Sequence, residues 1–344
     1  VQDGFQGAVQ CKIEIERMSV FVTGATGYIG AHLVKKLADD GEKVHVLVRS
    51  LSKAKHIQHP NIIPFEGDIL NRSSVQCAMK GCNEVYHLAG FAKVWTKDPR
   101  EFFEINVEAT VNILEVARKL NVSKVVFTST AGVFGPSIDG DINEDYLRHV
   151  DFFNEYESSK ALTESKIKDF IIEGMDVTIV SPTRVYGPYL FGKPESVTLL
   201  IDLYVNRSWR LIPSDGTKVG NYIYIDDVVN GHIMAMKKGR KGQTYILCGE
   251  NHDFNAFFSM LAEESKIRRM MIRLPIGLQM VFSRFQMLKV LFGGTPLITP
   301  KWISKGYYDW CVNSSKAKDE LGLNITTLKE GIRRTVEWAR EQNQ

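Results

Sequence analysis

Tyr156 and Lys160 stand four residues apart in Tyr156-Glu157-Ser158-Ser159-Lys160, a spacing that sets both side chains on one face of a helix. An ammonium beside a phenol favours the phenolate, lowering a pKa that starts at about 10, so the hydroxyl can exchange a proton with an oxygen on a bound molecule. Such a pair is common by chance, and its context decides its meaning. Upstream lie His87-Leu88-Ala89-Gly90 and the run Val125 to Gly135, with hydroxyls at Thr128, Ser129 and Thr130. Earlier still, Gly24-Ala25-Thr26-Gly27-Tyr28-Ile29-Gly30 follows a strand-like run and opens a helical period. Glycines there permit a tight turn and close approach of backbone to a pyrophosphate, whose charge a helix N-terminus stabilises. The three-and-three glycine spacing differs from the two-and-three spacing of many dinucleotide-binding dehydrogenases.

The next strand ends at Val48-Arg49-Ser50. A carboxylate at that place accepts from the ribose hydroxyls of NAD, whereas an arginine accommodates the 2′-phosphate of NADP. Arg49, with Ser50 and Lys53 as a further donor and charge, points to NADP(H), with NAD(H) as the alternative. A solvated surface arginine is the plainer reading. Asp68 in Gly67-Asp68-Ile69 follows the third strand, where a helix N-cap is one possible role.

The elements that position these groups follow from periodicity. Short β-branched runs at Ser19–Thr23, Lys43–Val48, Ile62–Glu66, Glu84–His87, Lys124–Thr128 and Asp176–Ser181 alternate with helix-period segments at Ile29–Asp40, Ser73–Met79, Phe102–Leu120 and Glu155–Glu173. This predicts an α/β fold: a Rossmann-type doubly wound parallel sheet with a smaller, discontinuous C-terminal substrate-binding domain. After Pro182 the alternation loosens, while Asn221–Val228 and Gln243–Cys248 read as strands that return to the sheet. Residues 18–187 and 221–250 are therefore assigned to the nucleotide domain, and 188–220 and 251–344 to the substrate domain. Residues 1–17, ahead of Met18, carry no clear period and read as an extension or tag.

A chain of 344 residues, 44% hydrophobic, can bury a large core. Its net charge of +3 is spread without a basic block, which argues against nucleic acid as the main partner. The five cysteines are scattered, without metal-ligand spacing, and read as thiols of a reducing compartment. No run of about 18 consecutive apolar residues suggests a membrane span, and no signal-peptide core is recognised, so a cytoplasmic location is expected. The most hydrophobic stretch, Ile276 to Phe292, is interrupted by Gln279, Arg284, Gln286 and Lys289; it reads as a buried amphipathic helix in preference to a membrane contact.

Together the glycine loop, His87-Leu88-Ala89-Gly90, the Val125–Gly135 run and the Tyr156/Lys160 pair resemble the extended short-chain dehydrogenase/reductases, with motifs from Met18 to the C-terminus. The resemblance implies a catalytic set of Thr130, Tyr156, Lys160 and Asn106. Aligning Val133-Phe134-Gly135 with the family's Val-Tyr-Gly puts Thr130 in the place of a more frequent serine; Ser129 is the alternative, because a strand aims successive side chains apart. Lys160 would also hold the nicotinamide ribose. Leu88, Ala89 and Gly90 would let the cofactor lie close to the backbone, beside Thr128 and Ser129. Asp68 and Ile69 would meet the adenine, and Pro182, Thr183 and Val185 would line the nicotinamide. Helices Val107–Leu120 and Glu157–Glu173 match those that pair in family dimers, so a monomer or a homodimer is expected.

The same scaffold serves reductases and sugar-nucleotide epimerases or dehydratases. Arg49 disfavours NAD, and the place where an epimerase segment carries an arginine clamp for the nucleotide diphosphate is Gly220 here. Losing a charge-assisted clamp forfeits roughly 1.5 to 3 kcal/mol per contact. Asn221-Tyr222 with Asp226-Asp227-Val228, and Thr299-Pro300 through Ser314-Ser315-Lys316-Ala317, instead resemble the dihydroflavonol-reductase and 3β-hydroxysteroid-dehydrogenase branch. The expected substrate is a small lipophilic or aromatic carbonyl or alcohol, met by Phe91, Val94, Trp95, Thr130, Tyr189, Phe191, Asn221 and Met280. A binding module that holds NADP without chemistry would be expected to lack Tyr156 or Lys160; both are present.

Overall fold

The computed structural model describes residues 19–291, 293–296 and 298–342; residues 1–17, read above as an extension or tag, and Met18 lie outside them. Seven parallel strands form the main sheet: β1 (Ser19–Thr23), β2 (Val44–Val48), β3 (Ile62–Glu66), β4 (Cys82–His87), β5 (Lys124–Thr128), β6 (Val177–Pro182) and β10 (Thr244–Leu247). Their order is β10-β6-β5-β4-β1-β2-β3. The winding reverses between β1 and β4, and ligands of such sheets bind at that reversal, beyond the carboxyl ends of the strands. The glycine loop leaves β1 there, and Leu88-Ala89-Gly90 leaves β4 beside it.

Near-continuous Val, Ile and Phe make the central strands fit a sheet covered on both faces. One core layer joins Val22, Leu33, Val46 and Val180 to Tyr222 and Ile332, and the opposite layer joins Phe21, Ile113, Phe127 and Ile179. No helix among the described residues is long and apolar enough to cross a membrane.

Four expectations change after Pro182 and around Asn106. The run Asn221–Val228 is not one strand. β9 (Val219–Tyr224) ends before residue 225, and Ile225–Lys238 is a helix with Asp226 and Asp227 in its first turn, where carboxylates favour the helix dipole. β9 also does not rejoin the main sheet; it pairs with β7 (Arg184–Tyr186) and β11 (Glu250–Asp253), while β8 (Leu211–Pro213) pairs with β12 (Ile272–Leu274). The helix expected at Phe102–Leu120 is interrupted by a π-helical turn at Glu104–Glu108 before Ala109–Lys119. The Ile276–Leu291 helix turns its polar residues Ser283 and Gln286 inward and leaves Leu278, Val281, Phe282, Phe285 and Leu288 exposed, so it is not a buried amphipathic helix.

A buried ion cluster fastens the C-terminal segment to the helix Glu155–Ile172. Glu157, 1% exposed in its side chain, pairs with Arg148 at 2.9 Å and Lys305 at 2.5 Å. Arg148 also donates to the carbonyls of Gly132, Val150 and Asp151. Removing one charge from such a group leaves its partners desolvated and unmatched. Glu157→Gln is expected to lower unfolding stability by about 3 kcal/mol, read as a drop in Tm and in urea midpoint; a loss within the error of the unmodified protein would show that the cluster is not a structural tie.

Candidate active site

The glycine loop is a fit between backbones. Gly24 has φ +74°, and a Cβ on it would lie 2.6 Å from the Ala89 nitrogen. A Cβ on Gly30 would lie 2.1 Å from the Gly24 carbonyl oxygen, and one on Gly27 3.2 Å from it. Gly27 caps the helix Tyr28–Asp39 without any side-chain bond and without an acid in the first turn. The first amides of that helix are therefore turned toward the loop with no carboxylate competing for them.

A buried chain of hydrogen bonds holds Ala89 in place. The Ala89 amide donates to Thr23 Oγ1 (3.2 Å), Thr23 bonds His87 Nδ1 (2.6 Å), His87 Nε2 bonds Thr110 Oγ1 (2.9 Å), and Thr110 donates to the Asn106 carbonyl (2.6 Å). These partners are satisfied together when His87 is neutral with its proton on Nε2, a tautomer assigned from the network. Burial, with the Lys160 charge nearby, pushes His87 down to about 3. Sequence reasoning treated His87 as part of a motif and missed Thr23 and Thr110. A histidine at the end of a buried strand, flanked by threonines on neighbouring elements, was the available signal.

Asn106 sits in the π turn, which frees its carbonyl from the helical ladder for Thr110 and Thr163. Its amide accepts from the Phe91 nitrogen at 2.7 Å and donates to Ser159 Oγ at 2.8 Å. It thereby joins the loop after β4 to the helix that carries Tyr156 and Lys160. Gly90 completes the junction: a Cβ there would lie 3.2 Å from Asn106 Oδ1 and 3.3 Å from Lys160 Nζ.

Thr130 lies near enough to Tyr156 to pull its phenol down. Thr130 also accepts from the Gly132 amide at 3.2 Å. Ser129 is aimed the other way, donating to the Glu164 carboxylate, as alternation along an extended segment requires. Of the two candidates, Thr130 is the one brought to Tyr156. Lys160, 3% exposed, donates to the Thr128 carbonyl at 2.8 Å and lies 4.7 Å from the Phe127 ring centre. The Thr128 hydroxyl bonds His232 Nε2 at 2.9 Å. Burial lowers Lys160 to about 8, against the opposing pull of Glu164. The expected lowering of Tyr156 is absent in this state: burial pushes it up to about 12, and the nearby Thr130 hydroxyl only offsets this in part.

At the carboxyl end of β2, Val48 pairs with Glu66, which sets Arg49 beside Gly67-Asp68-Ile69. Arg49 is exposed, and no carboxylate pairs with it among the described residues. Ser50 bonds Ser52, and Lys53 is exposed one turn on. Asp68 is not a helix cap; Asn71 caps Arg72–Met79, while Asp68 accepts from the Leu70 amide. Pro182 ends β6, and Thr183 and Val185 follow it, partly buried.

The expected substrate residues divide. Phe91 touches the Asn106 junction and packs edge-on against Phe102, with Val94 and Trp95 on the same loop. Tyr189 and Phe191 are placed elsewhere: Tyr189 stacks on Tyr28 at 3.9 Å, and both line a pocket with Thr26, Gly27 and Lys193 at the glycine loop. Tyr28 itself donates to the Gly187 carbonyl. Asn221 is removed as a contact, because its amide is saturated by Thr183, Gly249 and Asn251 and it is 2% exposed. Met280 lies on the partly exposed Ile276–Leu291 helix.

Gly220 also changes meaning. A Cβ there would lie 2.3 Å from Arg184 Nη1, so the Arg184 guanidinium fills the space that a side chain at Gly220 would take. Arg184 lies 5.6 and 5.8 Å from the Tyr222 and Phe254 ring centres, and its charge pulls the buried Tyr222 phenol down against the larger upward effect of burial. A cation is therefore still present where the sequence suggested one had been lost.

No group of three or more metal-ligating side chains exists among the described residues. The close-packed glycines, uncapped helix amides and Gly90–Lys160 junction are shaped for an extended, anionic dinucleotide. Comparison with known proteins agrees. Sterol demethylase protein B of Methylococcus capsulatus is 29% identical over 94% of this chain and 99% of its own. A bifunctional dihydroflavonol 4-reductase/flavanone 4-reductase of Pyrus communis is 29% identical over 72% of this chain and 77% of its own. The crystal structure of UDP-glucose 4-epimerase with UDP-glucose from Thermotoga maritima has a TM-score of 0.80 at 24% identity, covering 95% of this chain and 100% of that one, and shares the fold. The NAD dependent epimerase/dehydratase family matches residues 20–248, and the chain belongs to that family, within the extended short-chain dehydrogenases/reductases.

Proposed function

We propose that this protein is an NADP(H)-dependent reductase or dehydrogenase that interconverts a carbonyl and an alcohol on a small lipophilic or aromatic substrate. The observation that carries the reading is the placement of Tyr156, with Thr130 near enough to lower its phenol, one helical turn before a buried Lys160 that donates to the Thr128 carbonyl. The relatives named for sterol and flavonoid chemistry support the substrate class.

Bound nicotinamide would supply or accept the hydride. Gly24 to Gly30 and the helix amides would hold the pyrophosphate; Arg49, Ser50 and Lys53 would hold the 2′-phosphate; Asp68 and Ile69 would border the adenine. Leu88, Ala89, Gly90, Thr128, Ser129, Lys160, Pro182, Thr183 and Val185 would surround the nicotinamide end. In the reducing direction the substrate carbon takes the hydride and its oxygen takes the Tyr156 proton. A phenol raised to about 12 keeps that proton at neutral pH, so it stands in the donor form. Thr130 polarises the same oxygen. Lys160, charged below about 8, stabilises the phenolate that proton transfer leaves behind.

A second reading, an NAD-dependent sugar-nucleotide epimerase or dehydratase, draws on Arg184, whose guanidinium could meet an anionic substrate group. The two differ in cofactor economy. Stoichiometric NADPH oxidation with lipophilic ketones or aldehydes supports the first. Turnover of nucleotide sugars with catalytic, tightly held NAD supports the second.

General acid catalysis contributes about 10²- to 10⁴-fold, so Tyr156→Phe is expected to lower turnover by that order with cofactor affinity little changed. Thr130→Ala should cost less and Thr130→Ser least; Lys160→Ala should also weaken cofactor binding. Near-full turnover by Tyr156→Phe, where chemistry limits the rate, would place the proton donor elsewhere. Titrations should show NADPH bound more tightly than NADH, with Arg49→Asp narrowing or reversing the difference; equal affinities in the unmodified protein would remove Arg49 from the site. Because Lys160 loses its charge as pH rises through about 8, kcat/KM for reduction should fall over that range, and a profile flat through it would show that the charge is not used.

A further inference from the structure

The Ile276–Leu291 helix presents its apolar side to the outside. Leu278, Val281, Phe282, Phe285 and Leu288 are 59%, 48%, 50%, 64% and 50% exposed, and their spacing puts them on one stripe. Met270 and Ile272, just before the helix, are 81% and 51% exposed. The inward side carries Ser283 and Gln286, both buried, and Gln286 Oε1 finds no partner. A soluble helix normally shows the reverse arrangement.

Charge identifies what the stripe meets. From Ser265 to Tyr308 there is no Asp or Glu, while the segment carries Lys266, Arg268, Arg269, Arg273, Arg284, Lys289, Lys301 and Lys305. Lys301 and Lys305 are engaged by Glu155 and Glu157, and Arg269 donates to the Trp209 carbonyl. The other five are exposed and form no ion pair among the described residues. A second copy of the chain docking by this face about a two-fold axis would bring like charges together with no acids to match them. A surface of anionic headgroups over hydrocarbon satisfies both features.

We propose that this face docks on an anionic lipid bilayer, the helix lying in the interface with its Phe and Leu side chains among the acyl chains and the basic residues at the headgroups. At 16 residues, with Arg284 and Lys289 within it, the helix is too short and too charged to span. Lys289 shares the stripe near its C-terminal end, where its long stem lets the ammonium reach the headgroups. The proposal is independent of which substrate Tyr156 serves.

Co-sedimentation of the full chain with vesicles tests it. Binding is expected to vesicles of phosphatidylcholine mixed with phosphatidylserine, to weaken with added salt, and to be far weaker with phosphatidylcholine alone. Phe282→Ser with Phe285→Ser should weaken it about tenfold or more by removing two buried aromatic groups, and Arg268→Gln with Arg273→Gln should weaken it about tenfold or more through lost headgroup attraction. Both pairs replace exposed side chains, and an unchanged Tm shows that the fold is kept. Failure of the unmodified protein to sediment with the mixed vesicles overturns the proposal, as does equal binding by the Phe282/Phe285 variant. A concentration-dependent dimer that this variant abolishes, without vesicle binding, would make a second copy the occupant.

Discussion

The backbone of Gly24 lies so close to that of Ala89 that no side chain fits between them, and the geometry of the site is built outward from that contact. It brings the loop after β1 against the loop after β4 at the reversal of the sheet. Loops normally gain such precision only where buried hydrogen bonds fix them, because backbone order alone costs about 1–2 kcal/mol per residue. Here the chain from the Ala89 amide through Thr23, His87 and Thr110 ends on the Asn106 carbonyl. Asn106 then fixes Phe91 on one side and Ser159 on the other. The position of the glycine loop and that of the Tyr156 helix are thus set by one continuous network.

Electrostatics around that helix follow from where its successive residues point. Glu157 turns inward to Arg148 and Lys305, while Lys160 turns to the Thr128 carbonyl and Tyr156 lies near enough to Thr130 for its phenol to be lowered by it. The carboxylate nearest in sequence to Tyr156 is neutralised by its own cations. Its charge nonetheless contributes to holding the phenol high, after the larger effect of burial. Lys160 shares its surroundings with Glu164, which Ser129 engages. The residue beside Thr130 therefore has a definite task, buffering the second carboxylate near the ammonium.

What could be read in the sequence was what repeats or is local. β-branched runs fixed the six strands through Pro182 to within two residues, and the glycine spacing located the turn that Gly24 and Gly30 demand. Roles that depend on distant partners were not legible. Asn221 looked like a substrate contact because nothing local shows that Thr183, Gly249 and Asn251 exhaust its amide. Tyr189 and Phe191 do line a pocket, but stacking of Tyr189 on Tyr28 places it at the glycine loop, which nothing local shows. The Ile276–Leu291 helix was misassigned to the interior because apolar periodicity gives the existence of a stripe and not the direction it faces.

Gly220 and Arg184 show the same limit in its most consequential form. Two positions separated by 36 residues in the sequence share one volume, so the absence of a side chain at one makes room for the guanidinium of the other. Stacked near Tyr222 and Phe254, that guanidinium is both a cation and a flat surface, since arginine is more weakly hydrated than an ammonium and packs on aromatic faces. It can border an anionic group or an aromatic one, and so by itself does not separate a reductase from an epimerase. The separating demand is on the cofactor, which a reductase must exchange at each turnover and an epimerase must keep. Tyr189, Phe191 and Lys193 line the glycine-loop pocket together with Thr26 and Gly27. The Tyr28–Tyr189 stack stands in the lining of that pocket, beside the loop proposed to hold the pyrophosphate, so exchange of the cofactor, unlike the charge at Arg184, would distinguish the two chemistries.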